Sequence, residues 1–423
     1  MEEEDYRGML DRLYSYHFRG LKPGLERISY LLKELNDPHL CYDYVHITGT
    51  NGKGSTSHYC SEILMQEGKK VGLYTSPHLS DFRERIVVNG TMANRERIAS
   101  ILEGLLNIAE RERCSFFEIA TALAFEYFRE ERIDVAVLEV GMGGRWDATN
   151  IVDSKKAIIT NVSLEHTQFL GNTVEAIANE KAGIIKEKAD VVTCADNVAL
   201  DAIEKKSAEK DAHLSAFNRD FFYDPTGSTI DGNNFVYHDE ELELPLKTRM
   251  AGINQMENAS AAVRLLRECG SDAIRRGVER AFIPGRFEIV EFQGKRVIID
   301  GAHNPGAALS LAQNLRAFGV RPVLILGVLK DKNYAEICRA LCPLSDITVV
   351  TEPRADRKLK KEALAEEAAR YSSVIAAETL KDAIEMACVF GSDVCITGSL
   401  YLVGEAREIL GLTDNTDNFG GDF

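Results

Sequence analysis

Residues 44–56, YVHITGTNGKGST, run from a short apolar segment through a glycine-rich turn into a segment typical of a helix. Glycines let backbone N–H groups approach phosphate oxygens, the lysine between them adds a positive charge, and a helix N-terminus adds a partial one. A strand, a turn and a helix in this order are the context in which a phosphate-binding loop is credible. We therefore predict a site for a nucleotide triphosphate, formed by Thr50, Asn51, Gly52, Lys53, Gly54, Ser55 and Thr56.

The spacing within this turn departs from the usual P-loop pattern. Gly54 stands between Lys53 and the first hydroxyl residue, Ser55, whereas the common pattern places lysine and hydroxyl side by side. Taken alone, the turn is also compatible with a plain glycine- and serine-rich connection between a strand and a helix. The rest of the chain has to decide between these interpretations.

After residue 44, short apolar β-branched runs alternate with longer runs of helical period, a pattern typical of a parallel α/β sheet. The predicted strands span 44–48, 71–75, 134–140, 157–161 and 191–194. The predicted helices span 54–67, 94–112, 116–130 and 173–186. Residues 213–250 break this rhythm with turn residues and alternating polar and apolar stretches, which predicts an insertion of antiparallel hairpins.

A second α/β unit follows the segment AFIPGRFE at residues 281–288. Each of its apolar runs precedes a segment of helical period, and the predicted strands span 296–300, 322–327, 347–351, 373–376 and 394–397. The predicted fold is therefore a P-loop-type α/β domain with a mostly parallel sheet, joined to a smaller Rossmann-like α/β domain. We expect the boundary near Pro284, which gives domains of residues 1–283 and 284–423.

The composition of the 423-residue chain suits a globular protein with two compact domains. A formal net charge of -16 and the lack of a basic block disfavour a nucleic-acid partner. No apolar run reaches about 18 residues, so we expect no membrane span, and the acidic N-terminus does not resemble a signal peptide. We therefore expect a cytoplasmic protein. Its nine cysteines form no C-x-x-C pair and are expected to be reduced thiols rather than zinc or iron–sulfur ligands.

Glu139 lies near the C-terminal end of the strand predicted in DVAVLEVGMGGRWDATN, residues 134–150. Ligands of parallel α/β sheets bind outside the carboxyl ends of the strands, which makes Glu139 the first candidate for a Mg2+ ligand. The alternative is that Glu139 is a capping or salt-bridge residue. For Asp147 and Asn150, in the glycine-rich turn that follows, a role as turn or N-cap residues is the stronger interpretation.

The phosphate loop is one of several motifs that carry a family resemblance. Its form GTNGKGST is accompanied by GLERI upstream and by GLYTSPHLSDFRERI, TNVSLEHTQFLGNTVEAIANEKAGIIK, AGINQMENASAA, PGRFE, IDGAHNP, LGVLKDKNY and ITGSLYLVGEAR downstream. With these motifs the chain resembles, over nearly its whole length, the folylpolyglutamate synthase/dihydrofolate synthase branch of the Mur ligase superfamily. The match is weakest at residues 94–113, 213–250 and 352–372.

The resemblance implies roles for individual residues. Lys53 resembles the phosphate-binding lysine of the family. Ser76 and Glu139 would bind one metal ion, and His166 with a carbamylated Lys181 would bind a second. The catalytic residues would then be Lys53, Lys181 and His166. The residues by themselves leave other interpretations open, namely a capped turn at Ser76, a surface histidine, and an exposed i,i+4 ion pair of Lys181.

A further group of residues would meet the nucleotide. By the same resemblance, Asn258 contacts the adenine end of ATP, while Arg286, Asp300 and His303 close on the nucleotide from the C-terminal domain. A planar guanidinium suits phosphate because it can donate two hydrogen bonds at once. Asn258 could instead cap or flank its own helix.

The activity that the resemblance implies is the ATP- and Mg2+-dependent joining of L-glutamate to a folate or dihydropteroate, through an acyl phosphate. An N-terminal segment would bind the folate and the C-terminal domain would serve glutamate ligation. The substrates would be small molecules, with neither nucleic acid nor membrane as a partner, and the protein would be a monomer. Phe116, Phe117 and Glu118 would line a pterin site or, as the stronger interpretation, anchor the core.

Two rival functions stay open at this point. One is a Mur-type ligase that adds an amino acid to another acceptor, which the segment YTSPHLSDFRERI and the form GKGST disfavour. The other is a P-loop nucleotide-binding protein without ligase chemistry. The joint presence of Glu139, His166 and Lys181 disfavours that second rival.

Overall fold

The structure, a computed structural model, describes residues 3–19 and 23–413. Its largest sheet has eight strands, six of them parallel, in the spatial order β4-β3-β2-β5-β1-β6-β7-β8. In chain order these are β1 (Asp43–Thr48), β2 (Val71–Tyr74), β3 (Ile86–Val88), β4 (Thr91–Met92), β5 (Val135–Glu139), β6 (Lys156–Ile159), β7 (Asp190–Thr193) and β8 (His213–Ala216). The predicted mostly parallel sheet is confirmed, and only β3 and β4 at one edge run antiparallel.

Helices cover both faces of this sheet. They are α1 (Glu3–Ser15), α2 (Glu26–Glu34), α3 (Lys53–Gln66), α4 (Arg95–Glu112), α5 (Phe116–Glu131), α6 (Thr167–Leu170), α7 (Val174–Lys181), α8 (Asn197–Glu209), α9 (Asn254–Leu265) and α10 (Ser271–Arg280). One apolar core joins α1, α2, α4 and α5 to the sheet, and another joins α3, α9 and α10 to the opposite face. Because both faces of the sheet are buried, the sequences of the central strands are continuous apolar runs.

The insertion predicted at residues 213–250 is only partly the antiparallel unit that we expected. A three-stranded antiparallel sheet is present, formed by β9 (Phe221–Thr229), β10 (Gly232–Asp239) and β11 (Glu243–Thr248). The first four residues, 213–216, instead pair in parallel with β7 and extend the main sheet as β8. A run this short carries no signal for parallel or antiparallel pairing, and the preceding helix α8 supplies the crossover that a parallel strand needs.

A second, six-stranded sheet follows, in the order β12-β13-β17-β14-β15-β16. Its strands are β12 (Glu288–Phe292), β13 (Lys295–Ile299), β14 (Val323–Leu326), β15 (Ile347–Val350), β16 (Ser373–Ala376) and β17 (Asp393–Thr397). Its helices are α11 (Pro305–Ala317), α12 (Tyr334–Leu341), α13 (Lys361–Ala368), α14 (Leu380–Phe390) and α15 (Leu400–Ile409). The five predicted strands are all present and parallel to one another, which confirms the smaller α/β domain.

Two local features of the fold differ from the sequence predictions. Strand β12 was not predicted; it pairs antiparallel with β13 through a two-residue turn in which Gln293 and Gly294 both have positive φ, 51° and 70°. The helix predicted over 173–186 ends at Lys181 and continues as a short 3-10 helix, Ala182–Ile184. The reason is tertiary, because a Cβ on Gly183 would lie 2.5 Å from that of Arg145.

The two sheets meet through α9 and α11. The Asn314 side chain on α11 accepts a hydrogen bond from the backbone N–H of Ile253 at 3.2 Å, and Asn254 donates to the Ser310 hydroxyl at 2.7 Å. These bonds fix the start of α9 relative to the second sheet. Within the described ranges, no helix is both long and apolar enough to cross a membrane. All nine cysteines lie in those ranges and are free thiols.

Candidate active site

The turn between β1 and α3 can be built only with glycine at two positions. Gly49 and Gly52 have φ values of +151° and +84°. A Cβ on Gly49 would lie 1.8 Å from the Thr160 hydroxyl oxygen, and one on Gly52 would lie 2.4 Å from Asn258 Oδ1. Helix α3 then starts at Lys53 with no side-chain hydrogen bond to its first turn from the described residues. The first-turn N–H groups are therefore open to an anion.

A neighbouring strand end holds this turn in place. Asn161, which follows β6, accepts a hydrogen bond from Asn51 N at 2.9 Å and donates to Asn51 O at 3.0 Å. The Thr50 hydroxyl in turn accepts a hydrogen bond from Ser163 N at 3.0 Å. Sequence reasoning missed Asn161 as a site residue, although its position at the end of a parallel strand was a usable signal.

Two lysines converge on one backbone carbonyl. The Nζ atoms of Lys53 and Lys181 donate to Gly49 O at 2.9 Å and 2.7 Å. Lys181 is only 1% exposed and also donates to Glu165 Oε1 at 2.7 Å. Burial, followed by the charge of Lys53, lowers the pKa of Lys181 to about 8 against the opposing effect of Glu165. The interpretation of Lys181 as an exposed surface pair is therefore wrong.

Glu139 lies at the end of β5, beside the start of α3. Its side chain is buried, and Oε2 accepts a hydrogen bond from the backbone N–H of Ser76 at 3.1 Å. A Cβ on Gly54 would lie 3.6 Å from the same oxygen, so the carboxylate stands directly over the phosphate loop. Burial raises the pKa of Glu139, while the positive charge of Lys53 is the largest opposing influence.

The surroundings of Glu139 fit a magnesium ion better than a metal held wholly by protein. Among the residues that the structure describes, no three His, Cys, Asp or Glu side chains are close enough to bind one metal. Mg2+ commonly takes one or two protein oxygens and completes its shell with phosphate and water. Glu139 Oε1 accepts no hydrogen bond from a described residue, and Ser76 supplies a hydroxyl in the adjacent loop.

His166 occupies the loop that follows β6. It has a left-handed backbone conformation, with φ 45°, and its exposed side chain makes no capping hydrogen bond to α6 among the described residues. The adjacent Glu165 carries the carboxylate that pairs with Lys181. Although burial acts in the other direction, the charges of Lys53 and Lys181 lower the pKa of Glu165. His166 therefore stands one residue from this buried pair, and Glu165 is a site residue that sequence reasoning missed.

The three predicted site residues of the second domain have different hydrogen-bond partners. Both carboxylate oxygens of Asp300 are occupied, one by Phe287 N at 2.8 Å and one by Ala302 N at 2.9 Å, so this side chain fixes the two segments that it joins. The Nδ1 atom of His303 is hydrogen-bonded to Gly301 O at 2.8 Å. Arg286 makes no hydrogen bond or ion pair with any described residue and lines the interdomain cleft, where its guanidinium can meet an anion.

Charged groups of both domains, including Lys53 of the phosphate loop, act on His303. Burial lowers the pKa of His303 to about 4, and the nearby charges of Lys332, Arg286 and Lys53 act in the same direction. The ring is therefore neutral at physiological pH. Since Lys53 belongs to the first domain and Lys332 to the second, both domains contribute charge to one site. Lys332 was not recognised from the sequence.

Helix α9 lies directly on the phosphate loop. The buried Asn258 side chain is in contact range of Gly52, and its Nδ2 atom donates to Gln255 Oε1 at 3.4 Å. Gln255 in turn donates to the Ser55 hydroxyl at 3.3 Å. Asn258 therefore neither caps nor ends its helix but contacts the loop. Gln255 is a further residue that the sequence analysis did not single out.

Other candidates have contacts of a structural kind, while a pterin site at Phe116, Phe117 and Glu118 stays a prediction. Asp147 Oδ1 accepts a hydrogen bond from Thr149 N at 3.0 Å, as an N-cap does, and Asn150 donates to two backbone carbonyls. Phe116 is buried in the core, and the Glu118 carboxylate closes a capping box at the start of α5. Phe117 is half-buried, with its ring so close to Gly141 that a Cβ there would lie 2.6 Å away.

A comparison of two glycine variants tests the phosphate loop. Gly52 and Gly68 have similar φ values, +84° and +90°, but a Cβ on Gly68 meets nothing within 4 Å. We expect Gly68→Ala to lower the free energy of unfolding by about 1–2 kcal/mol through backbone strain alone. Gly52→Ala should add displacement of Asn258 and weaken ATP binding by about tenfold or more. Denaturant unfolding and calorimetric titration with ATP measure both effects; equal ATP affinities would contradict the loop assignment.

A cleft of ≈ 620 Å³ opens between the two domains beside Glu139. Residues of α3 and of the loop after β2 form one side, and residues 282–284, Arg286 and part of α15 form the other. Ser76, Glu139 and Arg286 all line it. The cleft therefore connects the metal candidate of the first domain with the free arginine of the second.

Comparison with known proteins agrees with this geometry. The chain matches the family model of the Mur ligase middle domain over residues 47–266 and that of the Mur ligase glutamate ligase domain over residues 285–400. A phosphate loop on a parallel sheet, joined to this second domain, defines a Mur-type ligase.

Individual relatives indicate which kind of Mur-type ligase the chain resembles. The chain is 33% identical to the dihydrofolate synthase/folylpolyglutamate synthase of Mycobacterium tuberculosis, over 92% of this chain and 91% of that protein. A crystal structure of M. tuberculosis folylpolyglutamate synthase, complexed with ADP and AMPPCP, superposes with a TM-score of 0.86 at 33% identity, over 93% of this chain and 96% of that one. The chain belongs to the folylpolyglutamate synthase/dihydrofolate synthase family.

One relative is about twice as long as the matched region. The chain is 36% identical to a probable bifunctional folylpolyglutamate synthase/dihydropteroate synthase of Halobacterium salinarum. The match covers 92% of this chain but spans about half, 49%, of that protein.

Proposed function

We propose that the protein joins the amino group of L-glutamate to the carboxylate of dihydropteroate or a folate, with ATP as the energy source. The observation that carries this proposal is the convergence of Lys53, Lys181 and Glu139 around the turn after β1. A cation at the start of α3, a buried lysine at the end of α7 and a buried carboxylate at the end of β5 suit the transfer of a phosphoryl group between anionic oxygens.

The first chemical step is the formation of an acyl phosphate. An oxygen of the acceptor carboxylate attacks the γ-phosphorus of ATP, the bond to the bridging oxygen breaks, and ADP leaves. Lys53 and the open N–H groups at the start of α3 hold the phosphates in line for this attack. The neutral amine of glutamate then attacks the acyl carbon, inorganic phosphate leaves with the bond electrons, and the proton that the nitrogen gives up leaves with the phosphate.

Glu139 and Ser76 would hold a magnesium ion beside these phosphates, and His166 with a carbamylated Lys181 would hold a second. Such ions neutralise charge on the phosphoryl group during its transfer. The buried position of Lys181 and the lowered pKa of its amine support the carbamate, because carbon dioxide reacts with a neutral amine.

The second domain completes the site in this proposal. Arg286 donates to phosphate oxygens, His303 lies beside them as a neutral ring, and Asp300 keeps the two loops that carry these residues in place. Closure of the two domains over ATP excludes water, which would otherwise hydrolyse the acyl phosphate. Asn258 directs the adenine end of the nucleotide along α9.

The remaining expectations belong to the same proposal. Four of them stay predictions: an N-terminal folate-binding segment, glutamate ligation by the domain of residues 284–423, a monomeric state and a cytoplasmic location. Support for a nucleotide comes from a relative of known structure, which was complexed with ADP and AMPPCP. Support for the acceptor comes from the names of the relatives, which refer to folylpolyglutamate and dihydrofolate.

A substrate panel tests the proposed function. We expect ADP release that requires both glutamate and either dihydropteroate or a tetrahydrofolate, with a product that is heavier by one glutamate residue in mass spectrometry. Chelation of Mg2+ should abolish the release. Activity with a UDP-muramoyl acceptor alone would favour the other Mur-type ligase. Nucleotide binding without glutamate-dependent ADP release would favour a nucleotide-binding protein without ligase chemistry.

A further inference from the structure

One face of α11 in the second domain contacts the first domain at three successive positions. Gly306, Ser310 and Asn314 are four residues apart and therefore lie along one side of the helix. At the start of α11, a Cβ on Gly306 would lie 3.4 Å from Nδ2 of Asn51 in the phosphate loop. Further along, Ser310 and Asn314 are hydrogen-bonded to the start of α9. This face of α11 therefore touches both the phosphate loop and α9.

The residue before α9 cannot cap this helix. Ile253 already has helical φ and ψ values, -58° and -40°, and its side chain carries no hydrogen-bond acceptor. The N–H groups of a first helical turn find no partner within the helix, so an acceptor has to come from outside it. Oδ1 of Asn314 accepts a hydrogen bond from Ile253 N at 3.2 Å. An asparagine of the second domain thus takes the part that an N-cap residue plays in most helices.

The segment that enters α9 is also held from the first domain. The buried Asn233 side chain, near the start of β10, donates to Met250 O and Gly252 O, both at 3.1 Å. Gly252 has a φ of +108°, and a Cβ there would lie 2.6 Å from Nδ2 of Asn314. The second domain therefore meets a backbone that is fixed from the other side, at a position where glycine permits the close approach.

The first turns of α9 reach the nucleotide side of the site. Gln255 donates to the Ser55 hydroxyl at 3.3 Å, and the Asn258 side chain lies against Gly52. Helix ends fray when their first N–H groups lack acceptors, and Gln255 stands in this first turn. A change at the start of α9 therefore acts on the phosphate loop.

We propose that Asn314 is a positioning residue, which caps α9 across the domain boundary and so couples the docking of the second domain to ATP binding. The inference rests on the proposed function, because it takes ATP as the ligand of the phosphate loop. The second domain, which carries Arg286 and His303, strengthens the binding of ATP when it docks on α9. Bound ATP favours this docking in turn, because such a coupling is reciprocal.

Matched variants of the full chain test the cap. Asn314→Ala removes the acceptor, whereas Asn314→Asp keeps an oxygen at the same position, and aspartate caps helices as well as asparagine does. Gln313→Ala is the control, because Gln313 is exposed on the same helix and is not one of the contact positions. Ser310→Ala and Asn254→Ala each remove the bond between these two residues and leave Asn314 in place.

We expect Asn314→Ala to raise the Kd for ATP about fivefold in calorimetric titration. It should also raise the ratio of ADP released to glutamyl product about twofold or more, because a loosely docked second domain admits water to the acyl phosphate. Asn314→Asp and Gln313→Ala should bind ATP as the wild type does. Ser310→Ala and Asn254→Ala should each raise the Kd about twofold, and their combination no further, because both remove one bond.

Other results separate this inference from the function on which it rests. An unchanged Kd for ATP in Asn314→Ala overturns the cap while the ligase function stands. An equal rise in Asn314→Ala and Asn314→Asp also overturns it, because an acceptor oxygen is then not what the site requires. A wild-type chain that binds ATP but releases no ADP with glutamate and any pterin acceptor would instead defeat the proposed function, and the titrations would still decide whether the cap acts.

Discussion

Lys53→Ala is expected to abolish glutamate-dependent ADP release while leaving the protein folded. The ammonium group of Lys53 lies in the turn between β1 and α3, where its hydrogen bonds to described residues go to Gly49 O and Thr50 O, at 2.9 Å and 3.0 Å. Both acceptors belong to the loop itself, so the strands and the helices are expected to form without these bonds. Loss of a cation that stabilises the transferring phosphoryl group should reduce kcat by about 10²-fold or more. Steady-state ADP release and circular dichroism measure the two effects.

The same helix offers a matched control for this variant. Lys69 follows the far end of α3, is exposed, and lies outside the phosphate loop. Lys69→Ala should leave both kcat and the KM for ATP unchanged. This control shows whether an effect of Lys53→Ala comes from the position of the lost charge or from the change in the total charge of the protein. Turnover of Lys53→Ala at the wild-type rate would contradict the assignment of the loop to phosphate binding.

The phosphate loop and the parallel sheets could be predicted from the sequence because their signals are local. The glycine spacing in residues 49–54 reflects two positive φ values and two close side-chain contacts, and both constraints act on the glycines themselves. The central strands were recognised to within one or two residues because they are buried on both faces. The parallel pairing of β8 and the presence of β12 were not predicted. Both depend on hydrogen bonding to a neighbouring strand, which the local sequence pattern does not indicate.

The electrostatic state of the site could not be predicted in the same way. A lysine at position 181 on a short amphipathic helix carries no local sign of burial, yet it meets Gly49 and Glu165, which lie far from it along the chain. The same holds for Arg286, whose charge acts on Glu139 of the other domain only after folding. Contacts that join distant segments set burial and charge, and a linear pattern does not encode them.

The availability of the cleft's arginines follows from this long-range arrangement. Arg83 lines the cleft but is neutralised by Asp81, and the same is true of Arg407, which pairs with Glu288. Arg286 is left as an arginine of the cleft without an ion pair among the described residues. The charge of an anionic substrate should therefore be met at Arg286.

Lys181→Ala is expected to lose ligase activity and to regain part of it with a short carboxylic acid such as acetate. Lys181 is buried beside the phosphate loop, and its pKa of about 8 leaves much of the amine neutral near that pH, so that it can react with carbon dioxide. If the carbamate supplies a metal-binding carboxylate, its loss should reduce kcat by about 10²-fold or more. Acetate can occupy the space left by the side chain and restore the missing oxygens.

The controls for this experiment separate chemistry from folding. Lys205→Ala, at an exposed lysine of α8, should show neither loss nor rescue. Removal of Lys181 also leaves Glu165 without its partner, so the unfolding midpoint has to be measured with and without acetate. The carbamate itself should give a new carbon resonance in the wild type supplied with isotope-labelled bicarbonate. Normal activity of Lys181→Ala without acetate would refute the carbamate, because no bound metal could then depend on it.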